Sequence, residues 1–526
     1  MIKNNIQFIK VCLASLLSVV LLVACAKNPV TGKNDLLLVS EDWELQVGAQ
    51  QYLPLRQQQG GDYVVDPSVE NYVRSVGKRL AMHSDRKLPY EFNVINDSTP
   101  NAWALPGGKI SINRGLLVEL ESEAELAAVL GHEIVHAAAK HGAKGQTRGV
   151  GLQLGVMTAS LIGGRNGYGQ EVQMLSTVGA QIINSQYGQG AELESDHYGM
   201  RYMAAAGYDP RGAVDLQRTF VKLSKGRANN TLSRLFASHP PSEKRVEENI
   251  KTAAGLKKGG KVGKEEYRKQ LARLFKTEKA YESFDKAREA LKNGNTSQAQ
   301  SLINQAVKIE PREAHFHTLM GDIALMKKDL GAAKKSYDKA IGLNGEYFYS
   351  YLQRGRVNDA QRNPSAARAD YARSMKLLPT STAQMALGQF AEREGKPGVA
   401  RRFYAMAAQA RGTEAEKARQ ALVRLQPQAA ANGSVAASVN KDSRLLVRQG
   451  VNREGEFVVE LINQTPRPLT DIKLGMQARA GTGQVVQVVE RILKPGERYV
   501  HRTGRNLTRE QAGRVRIVVL DSAIAR

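Results

Sequence analysis

Apolar residues recur at helical spacing in the first half of the chain and predict one buried helix. The apolar stripe consists of Leu126, Ala127, Leu130, Ile134 and Ala137. Ser122 with Glu125 three residues later has the pattern of a capping box, which marks the start of a helix. Gly142 is suited to a left-handed C-terminal cap. The pattern therefore predicts a helix over about residues 122–141.

A different pattern, with a period of 34 residues, runs through the middle of the chain. Three sets of positions repeat at this spacing: Ala299, Ala333 and Ala367; Ile303, Tyr337 and Tyr371; Ala306, Ala340 and Ser374. A fourth unit contains Gly388, Ala400, Tyr404 and Ala407. Small residues between paired helices and one aromatic residue per unit are typical of tetratricopeptide repeats, and four units are enough for a stable stack. We predict an α-helical tetratricopeptide solenoid over residues 266–425, with a generic helical bundle as the alternative.

Near the C-terminus the apolar residues alternate with a period of two, which predicts strands. The alternating segments are 457–462, 471–474, 485–489 and 515–519. Short strands separated by turns predict an immunoglobulin-like β-sandwich over residues 443–526. Two stretches are predicted as linkers: the basic, glycine-rich residues 253–265 and the Ala/Ser/Gly-rich residues 426–442.

Candidate chemistry lies in the middle of the predicted helix. His132 and His136 are four residues apart and so share one helical face, which lets both imidazoles bind one metal ion. Glu133 lies between them, within reach of the water that would attack a peptide bond. The acidic segment that begins some sixty residues later offers a third ligand, and spacing alone allows either Glu192 or Glu194. Together these residues predict a zinc hydrolase.

Asp196 lies four residues after Glu192 on the same face of a predicted second helix. Glu192 would then bind the metal while Asp196 accepts a hydrogen bond from a ligand imidazole and fixes its tautomer. Glu194 would point away. The other reading of this acidic segment is a solvated helix face. His141 and His197 are interpreted as helix-end or surface residues.

Several motifs occur together in an order known from one peptidase family. They are Asn28-Pro29-Val30-Thr31-Gly32, Asn101-Ala102-Trp103-Ala104-Leu105-Pro106-Gly107-Gly108, Asn113-Arg114-Gly115-Leu116-Leu117, the His132–His136 segment, Glu192-x-x-x-Asp196-x-x-Gly199 and Ser238-His239-Pro240-Pro241. The chain resembles the gluzincin peptidases that include the CAAX prenyl protease and the HtpX heat-shock protease. It is most similar to their periplasmic branch with tetratricopeptide repeats, typified by the beta-barrel assembly-enhancing protease.

The resemblance implies an α+β zincin-type metallopeptidase domain over residues 25–252, with one Zn²⁺ per chain. It selects Glu192 as the third metal ligand beside His132 and His136, and it agrees with Glu133 as general base. It also places His239 near the metal, either capping it in a latent state or stabilising the transition state. Finally, it implies that Lys109–Ile112 is the edge strand beside the cleft.

The N-terminus has the pattern of a bacterial lipoprotein signal. Lys3 and Lys10 precede fourteen apolar residues, and Leu22-Val23-Ala24-Cys25 resembles a lipobox. We expect residues 1–24 to be removed and Cys25 to be acylated, with ordinary secretion as the alternative. Residue 26 is Ala and not the Asp that retains lipoproteins at the inner membrane. These features predict a lipid anchor on the periplasmic face of the outer membrane.

The positive charge is placed unevenly. Residues 1–250 hold 25 Lys and Arg against 24 Asp and Glu, whereas residues 251–526 hold 50 against 27. Basic excess often indicates nucleic acid, but a periplasmic protein meets little of it, so we expect no nucleic-acid partner. Anionic lipid or acidic client segments are the expected partners of this charge, with a merely soluble surface as the alternative.

Two functions compete. The first is a zinc metalloendopeptidase that hydrolyses unfolded or misassembled envelope proteins, with the repeats contacting clients or the outer-membrane assembly machinery. The second is a chaperone-like or scaffolding lipoprotein whose zinc site is latent. The intact Glu133 favours the first, because a protein that had lost peptidase activity could lose this residue freely.

Overall fold

The computed structural model describes residues 25–147, 187–226, 233–410, 412–425, 444–452, 454–477, 485–508, 511–512 and 515–524. The predicted signal segment 1–24 and the predicted linker 426–442 lie outside these residues. The chain divides into two compact units, residues 1–418 and 419–526. The first unit contains the predicted peptidase and nearly all of the repeats, and the second contains the C-terminal strands.

The peptidase part combines short strands with helices. Its strands are β1 (Cys25–Lys27), β2 (Asn34–Leu36), β3 (Glu91–Ile95), β4 (Ala102–Leu105) and β5 (Lys109–Asn113). Its helices are α1 (Glu41–Gln58), α2 (Pro67–Ala81), α3 (Arg114–Leu117), α4 (Glu123–Ala138), α5 (Gln189–Ala205), α6 (Arg211–Gly226), α7 (Ser233–Ser238) and α8 (Glu243–Gly255). No helix among the residues described here has both the length and the apolarity needed to cross a bilayer.

Strands β3, β5 and β4 form one sheet in that order, with β3 parallel and β4 antiparallel to β5. The prediction that Lys109–Ile112 forms an edge strand is therefore wrong, because β5 pairs on both sides. Residues 106–108 turn the chain back between β4 and β5, with Gly107 and Gly108 at positive φ. This turn leaves β4 at the edge of the sheet.

Helix α4 is the predicted motif helix, and all of its residues are buried. Ser122 caps it as predicted, with its hydroxyl accepting the Glu125 N–H at 3.2 Å. The helix ends earlier than predicted, at Ala138. Lys140, at φ +60°, adopts the left-handed conformation that was expected of Gly142. This turn directs the chain back toward the helix, so that His141 reaches His136.

Helices α4 and α5 cross at a pair of glycines. A Cβ on Gly131 would lie 3.1 Å from the carbonyl oxygen of Gly199, and a Cβ on Gly199 would lie 3.0 Å from the backbone nitrogen of His132. The two backbones are therefore closer than side chains would allow. Since Gly199 lies three residues after Asp196, the crossing brings the acidic face of α5 against the imidazoles of α4.

The segment predicted as a flexible linker is ordered against the peptidase. The Lys261 carbonyl accepts the Asp209 N–H at 3.1 Å, and the Val262 carbonyl accepts the Ala124 N–H at 3.0 Å. The Lys261 ammonium lies 2.6 Å from the buried carboxylate of Glu123. The prediction of flexibility is wrong because these backbone groups and this lysine have specific partners that composition does not reveal.

The helical region after this segment packs as antiparallel pairs that begin against the peptidase core. Its helices are α9 (Lys264–Gln270), α10 (Ala272–Lys292), α11 (Thr296–Ile309), α12 (Ala314–Met326), α13 (Leu330–Leu343), α14 (Phe348–Ala360), α15 (Pro364–Leu377), α16 (Ser381–Arg393), α17 (Pro397–Ala408) and α18 (Thr413–Arg424). Tyr267 is fully buried, and its hydroxyl donates to the Leu117 carbonyl at 2.6 Å. The apolar core of the peptidase therefore continues into the first repeat.

The 34-residue period corresponds to helix–helix contacts. The small residues Ala299, Ala333, Ala367 and Ala400 are fully buried. Each aromatic residue of the period packs on a glycine of the preceding helix. A Cβ on Gly321 or Gly388 would lie 2.5 Å from the Tyr337 or Tyr404 ring, respectively. The predicted repeats are confirmed.

The second unit contains two three-stranded sheets. Their strands are β6 (Leu445–Val451), β7 (Glu456–Asn463), β8 (Leu469–Gln477), β9 (Val485–Val489), β10 (Arg498–Asn506) and β11 (Arg516–Ile524), in the orders β10-β7-β6 and β11-β8-β9. One apolar cluster takes residues from both sheets, including Phe457 and Ile517. The predicted strands are present, and the immunoglobulin-like topology stays a prediction.

The glycine crossing leads to a first prediction. Gly199→Ala should lower the stability of the peptidase part by about 1–3 kcal/mol, because the added methyl group meets backbone atoms that cannot move independently. Gly190→Ala is the matched control on the same helix, since nothing lies within 4 Å of its Cβ position. Denaturant unfolding followed by tryptophan fluorescence measures both. Equal shifts in the two variants would show that the close approach is not a constraint.

Candidate metal centre and active site

Four side chains from three helices converge at the centre of the peptidase part. His132 and His136 extend from α4, Glu192 from α5, and His239 follows α7. Each offers one ligand atom, and these atoms all lie within 4.8 Å of one another. The Nε2 atoms of His132 and His136 are 2.9 Å apart, and the Glu192 carboxylate oxygens lie 3.4–3.5 Å from them. The structure therefore brings together every predicted metal ligand, with His239 beside them.

Asp196 supports the first imidazole from the far side. Its Oδ1 lies 2.8 Å from Nδ1 of His132. If Nδ1 carries the proton, Nε2 directs its lone pair at the point where the ligand atoms meet. This is the position that the sequence predicted for Asp196.

Arg245 is a site residue that the sequence did not suggest. Its guanidinium is buried and donates to both Asp196 oxygens at 2.7 Å, and it also lies 2.9 Å from Glu192 Oε2. A further N–H faces the Pro240 carbonyl at 3.3 Å. One arginine thus joins both carboxylates to the loop that carries His239. The sequence feature that could have indicated Arg245 is Ser242, which caps α8 three residues before the arginine.

His141 is a second residue whose role was missed, because it was interpreted as a helix-end or surface residue. It is 3% exposed, and its Nδ1 lies 2.8 Å from Nδ1 of His136. Its Nε2 lies 3.2 Å from a Glu194 oxygen. For His136 to bind a metal through Nε2, its Nδ1–H must donate to His141, whose own Nε2–H then donates to Glu194. Glu194 accordingly points away from the metal ligands, as predicted, and acts on the second imidazole through His141.

Glu133 and His239 face each other beside the ligands. Nε2 of His239 lies 3.6 Å from Glu133 Oε1, and Nδ1 of His239 lies 3.3 Å from both Glu192 oxygens. Glu133 Oε2 is buried and has no hydrogen-bond partner among the described residues. Tyr187 stacks on the His136 ring with centroids 4.0 Å apart. His197, by contrast, is on the surface as predicted and contacts Thr252.

The electrostatics of the centre favour a bound cation. Burial opposes a charge on Glu192, but the neighbouring imidazoles hold the pKa of this carboxyl well below its usual range. Burial also opposes a charge on His132, yet Glu192 and Asp196 raise its pKa to about 10. A proton and a metal ion compete for the same imidazole lone pair, so the negative charge that favours one favours the other.

The pKa values of His136 and Glu133 are both shifted toward the neutral form of the side chain. Burial lowers the pKa of His136 well below its usual value, which leaves an unprotonated imidazole ready to bind a metal. Burial raises the pKa of Glu133. With imidazole and carboxylate donors converging on one point, and with hydrogen-bonded partners behind both α4 imidazoles, the residues fit a divalent metal ion.

A small cavity of about 30 Å³ adjoins the metal ligands. Its walls are mainly apolar and include Ala102, Met200, Met203, Leu216, Phe220 and Leu235. Gln217 is a polar exception, because its buried Oε1 has no hydrogen-bond partner among the described residues. Ala102 begins β4 and Glu133 also lines the cavity, so the cavity lies between the start of this strand and Glu133.

The His141 contacts lead to a second prediction. His141→Phe should weaken metal binding by about 10–100-fold, because His136 loses the acceptor that fixes its tautomer. His197→Phe, which changes an exposed histidine, should leave affinity unchanged. Competition with a chromophoric chelator measures both affinities without relying on activity. Unchanged affinity in His141→Phe, with the variant folded, would contradict the proposed role of His141.

Comparison with known proteins agrees with this geometry. Residues 67–253 match Peptidase family M48, and residues 284–347 match the tetratricopeptide repeat. The chain is 32% identical over 225 residues to the mitochondrial metalloendopeptidase OMA1 of Schizosaccharomyces pombe, covering 41% of this chain and 63% of that protein. It is 31% identical over 159 residues to the metalloprotease LoiP of Escherichia coli, covering 30% and 61%.

The beta-barrel assembly-enhancing protease of Escherichia coli is a third relative, 27% identical over 212 residues, covering 36% of this chain and 42% of that protein. The alignments therefore span less than two thirds of each relative's own length. The matched region contains all four converging ligands and Glu133. The chain thus combines a region that matches Peptidase family M48 with tetratricopeptide repeats, which is the two-part composition that its motifs and its 34-residue period predicted.

Proposed function

We propose that this protein is a zinc-dependent endopeptidase of the bacterial envelope that hydrolyses unfolded or misassembled proteins. The observation that carries the proposal is the position of Glu133 beside three imidazoles and Glu192. One oxygen of its buried carboxylate has no hydrogen-bond partner in the part of the chain that the structure describes. Zinc, when bound by His132, His136 and Glu192, supplies Lewis acidity toward the scissile carbonyl and the attacking water.

The residues of the chain supply the proton transfers. Glu133 Oε2, which has no partner among the described residues, accepts a proton from water and returns it to the leaving amine. Arg245 and Asp196 hold His132 in place, while His141 and Glu194 hold His136. These four residues act on the orientation of the imidazoles and not on the substrate.

Strand β4 is the proposed site of substrate addition. It pairs with β5 on one side only among the described residues, and Ala102 at its start lines the cavity beside Glu133. An extended polypeptide that pairs with this edge presents its backbone to the metal ligands. The small apolar cavity favours a small apolar side chain next to the scissile bond. Because recognition is mainly through the backbone, the substrate must be unfolded or locally open.

The position of His239 supports a latent resting state. Its Nδ1 lies 3.3 Å from Nε2 of His132, within the group of metal ligands, so it occupies space that a substrate carbonyl would need. Opening then requires the loop after α7 to move away from Glu192. This observation also favours the second candidate function, a chaperone-like or scaffolding lipoprotein in which the site stays closed.

The proposed envelope location is supported by the lipobox that ends at Cys25 and by the similarity to the beta-barrel assembly-enhancing protease of Escherichia coli. Cys25 pairs with Leu36 in a hairpin whose turn, Asn28–Gly32, is closed by backbone hydrogen bonds. Acyl chains on Cys25 would therefore hold the peptidase directly at the periplasmic face of the outer membrane.

A third prediction tests the chemistry. Glu133→Gln should abolish hydrolysis of an unfolded outer-membrane protein while zinc stays bound, because the residue supplies a base and no metal bond. Wild type treated with chelator should lose activity and regain it with zinc. Activity in Glu133→Gln equal to that of wild type would refute the peptidase mechanism. A folded, zinc-loaded wild type that never cleaves would favour the scaffolding function.

A fourth prediction tests the anchor. Cys25→Ser should move the protein from the membrane fraction to the soluble periplasmic fraction, because it removes the site of acylation. Cys12→Ser, inside the predicted signal segment, is the matched control and should remain with the membrane. If Cys25→Ser still sediments with outer membranes in high salt, the lipobox interpretation is wrong.

A further inference from the structure

A cavity of about 570 Å³ lies where the peptidase meets the repeats. Peptidase residues 58–60 and 96–99 form one wall, and the inner helices α10 and α12 with the start of α14 form the other. The Gln57 side chain fixes the two walls, since it donates to the Glu346 carbonyl at 2.7 Å and accepts the Phe348 N–H at 2.9 Å. Asn96 adds a hydrogen bond to Glu313 at 3.0 Å. The cavity is therefore built from both parts of the chain.

His315 lines this cavity with its ring. The residue is 8% exposed, and its Nε2 is buried without a hydrogen-bond partner among the described residues. The ring lies between Phe284 and Tyr347, at centroid distances of 6.3 Å and 4.6 Å. Burial lowers the pKa of this histidine, which favours the uncharged imidazole.

Asp322 supplies a carboxylate whose hydrogen-bond donors are neutral. It accepts the Tyr337 hydroxyl at 2.7 Å and the Gln353 amide at 3.1 Å. No ion pair of Asp322 within 4.0 Å occurs in the described part of the chain. Burial raises the pKa of this carboxyl to about 6, although these hydrogen bonds and the charge of Arg356 lower it.

The two arginines that line the cavity are already engaged. Arg114 donates to Asn96 and Ser98, and its guanidinium lies 3.5 Å from the Tyr281 ring centroid. Arg288 lies 3.8 Å from Asp285. Neither arginine reaches Asp322. The cavity therefore offers the Asp322 carboxylate beside the aromatic rings of Phe284, Tyr347 and Tyr349, which is an environment suited to a cation.

Neighbouring parts of the chain line the two cavities. Thr99 lines the large cavity, and Ala102, three residues later, lines the cavity beside Glu133.

We propose that this cavity binds a lysine or arginine side chain of the polypeptide substrate, so that the repeats select extended segments that carry a basic residue. The proposal rests on the proposed peptidase function for its substrate and differs from the expectation that the basic half of the chain captures acidic clients. The positive charge of the repeats lies on the surface, whereas this cavity holds three carboxylates, Asp97, Asp285 and Asp322, against two guanidiniums.

The test is a binding measurement on the full chain carrying Glu133→Gln, so that no peptide is consumed. A fluorescent ten-residue unfolded peptide with one arginine is compared, by anisotropy, with the same peptide carrying neutral citrulline or glutamate at that position. The arginine peptide should bind about tenfold more tightly than the citrulline peptide, as expected when a charged hydrogen bond is lost. Adding Asp322→Asn should reduce the preference to less than about twofold. Asp359→Asn removes a carboxylate of α14 that does not line the cavity and should keep the preference.

Equal binding of the arginine and citrulline peptides would overturn the proposal without any variant, so a misfolded Asp322→Asn does not decide the test. Tighter binding of the glutamate peptide would also overturn it, as would a preference that persists in folded Asp322→Asn. Binding is measured on Glu133→Gln and hydrolysis on the wild type, so the two results are independent. If Glu133→Gln shows the arginine preference but the wild type never hydrolyses a peptide, the peptidase function alone is refuted. Hydrolysis without the preference refutes the cavity proposal alone.

Discussion

The close approach of α4 and α5 at Gly131 and Gly199 is the constraint on which the site depends. Helix α4 carries two of the predicted ligands, His132 and His136, and α5 carries the third, Glu192, so neither helix completes the site alone. A Cβ at either glycine would lie 3.0–3.1 Å from backbone atoms of the other helix, so the helices would have to move apart slightly. Separation by even a few tenths of an ångström would lengthen the contacts across the crossing, including the 2.8 Å contact between His132 Nδ1 and Asp196 Oδ1.

So many buried polar and charged side chains require a hydrogen-bond or ion-pair partner for each group. Arg245 neutralises Asp196 and Glu192, and His141 joins His136 to Glu194, so the centre forms a hydrogen-bonded network and not a set of isolated charges. Glu133 is the exception, with one oxygen that no described residue satisfies. An unsatisfied acceptor is costly in a folded core, and its retention at this position is consistent with a role in the reaction.

Patterns that depend on local spacing allowed the sequence to predict much of this protein. The i, i+4 pair His132 and His136, the cap at Ser122 and the 34-residue period all follow from helix geometry. What could not be predicted depends on approach between distant segments. Arg245 lies about fifty residues from Asp196, and the turn at Lys140 that directs His141 inward replaced the expected glycine cap. Strand order likewise depends on pairing, which made β5 central although the family resemblance implied an edge strand.

The segment 253–265, which was predicted as a flexible linker, also has long-range contacts that its composition did not reveal. Its lysines and glycines are typical of a flexible connection, yet Lys261 pairs with buried Glu123, and Gly260 allows the chain to pass close to Tyr208. Because the apolar core then continues through Tyr267, the repeats are a fixed wall beside the peptidase and not a tethered module. This rigid connection is what makes a shared cavity, and hence selection of a substrate at a distance from the scissile bond, physically reasonable.

The central claim is that α4 and α5 together form a single metal site. Its most direct test is the metal content of the purified full chain, with zinc-edge X-ray absorption to identify the ligands. The account predicts one zinc per chain with imidazole and carboxylate ligands, and it predicts loss of that zinc in Glu192→Ala. A chain without stoichiometric metal, or a Glu192→Ala variant that retains zinc with an unchanged spectrum, would contradict it.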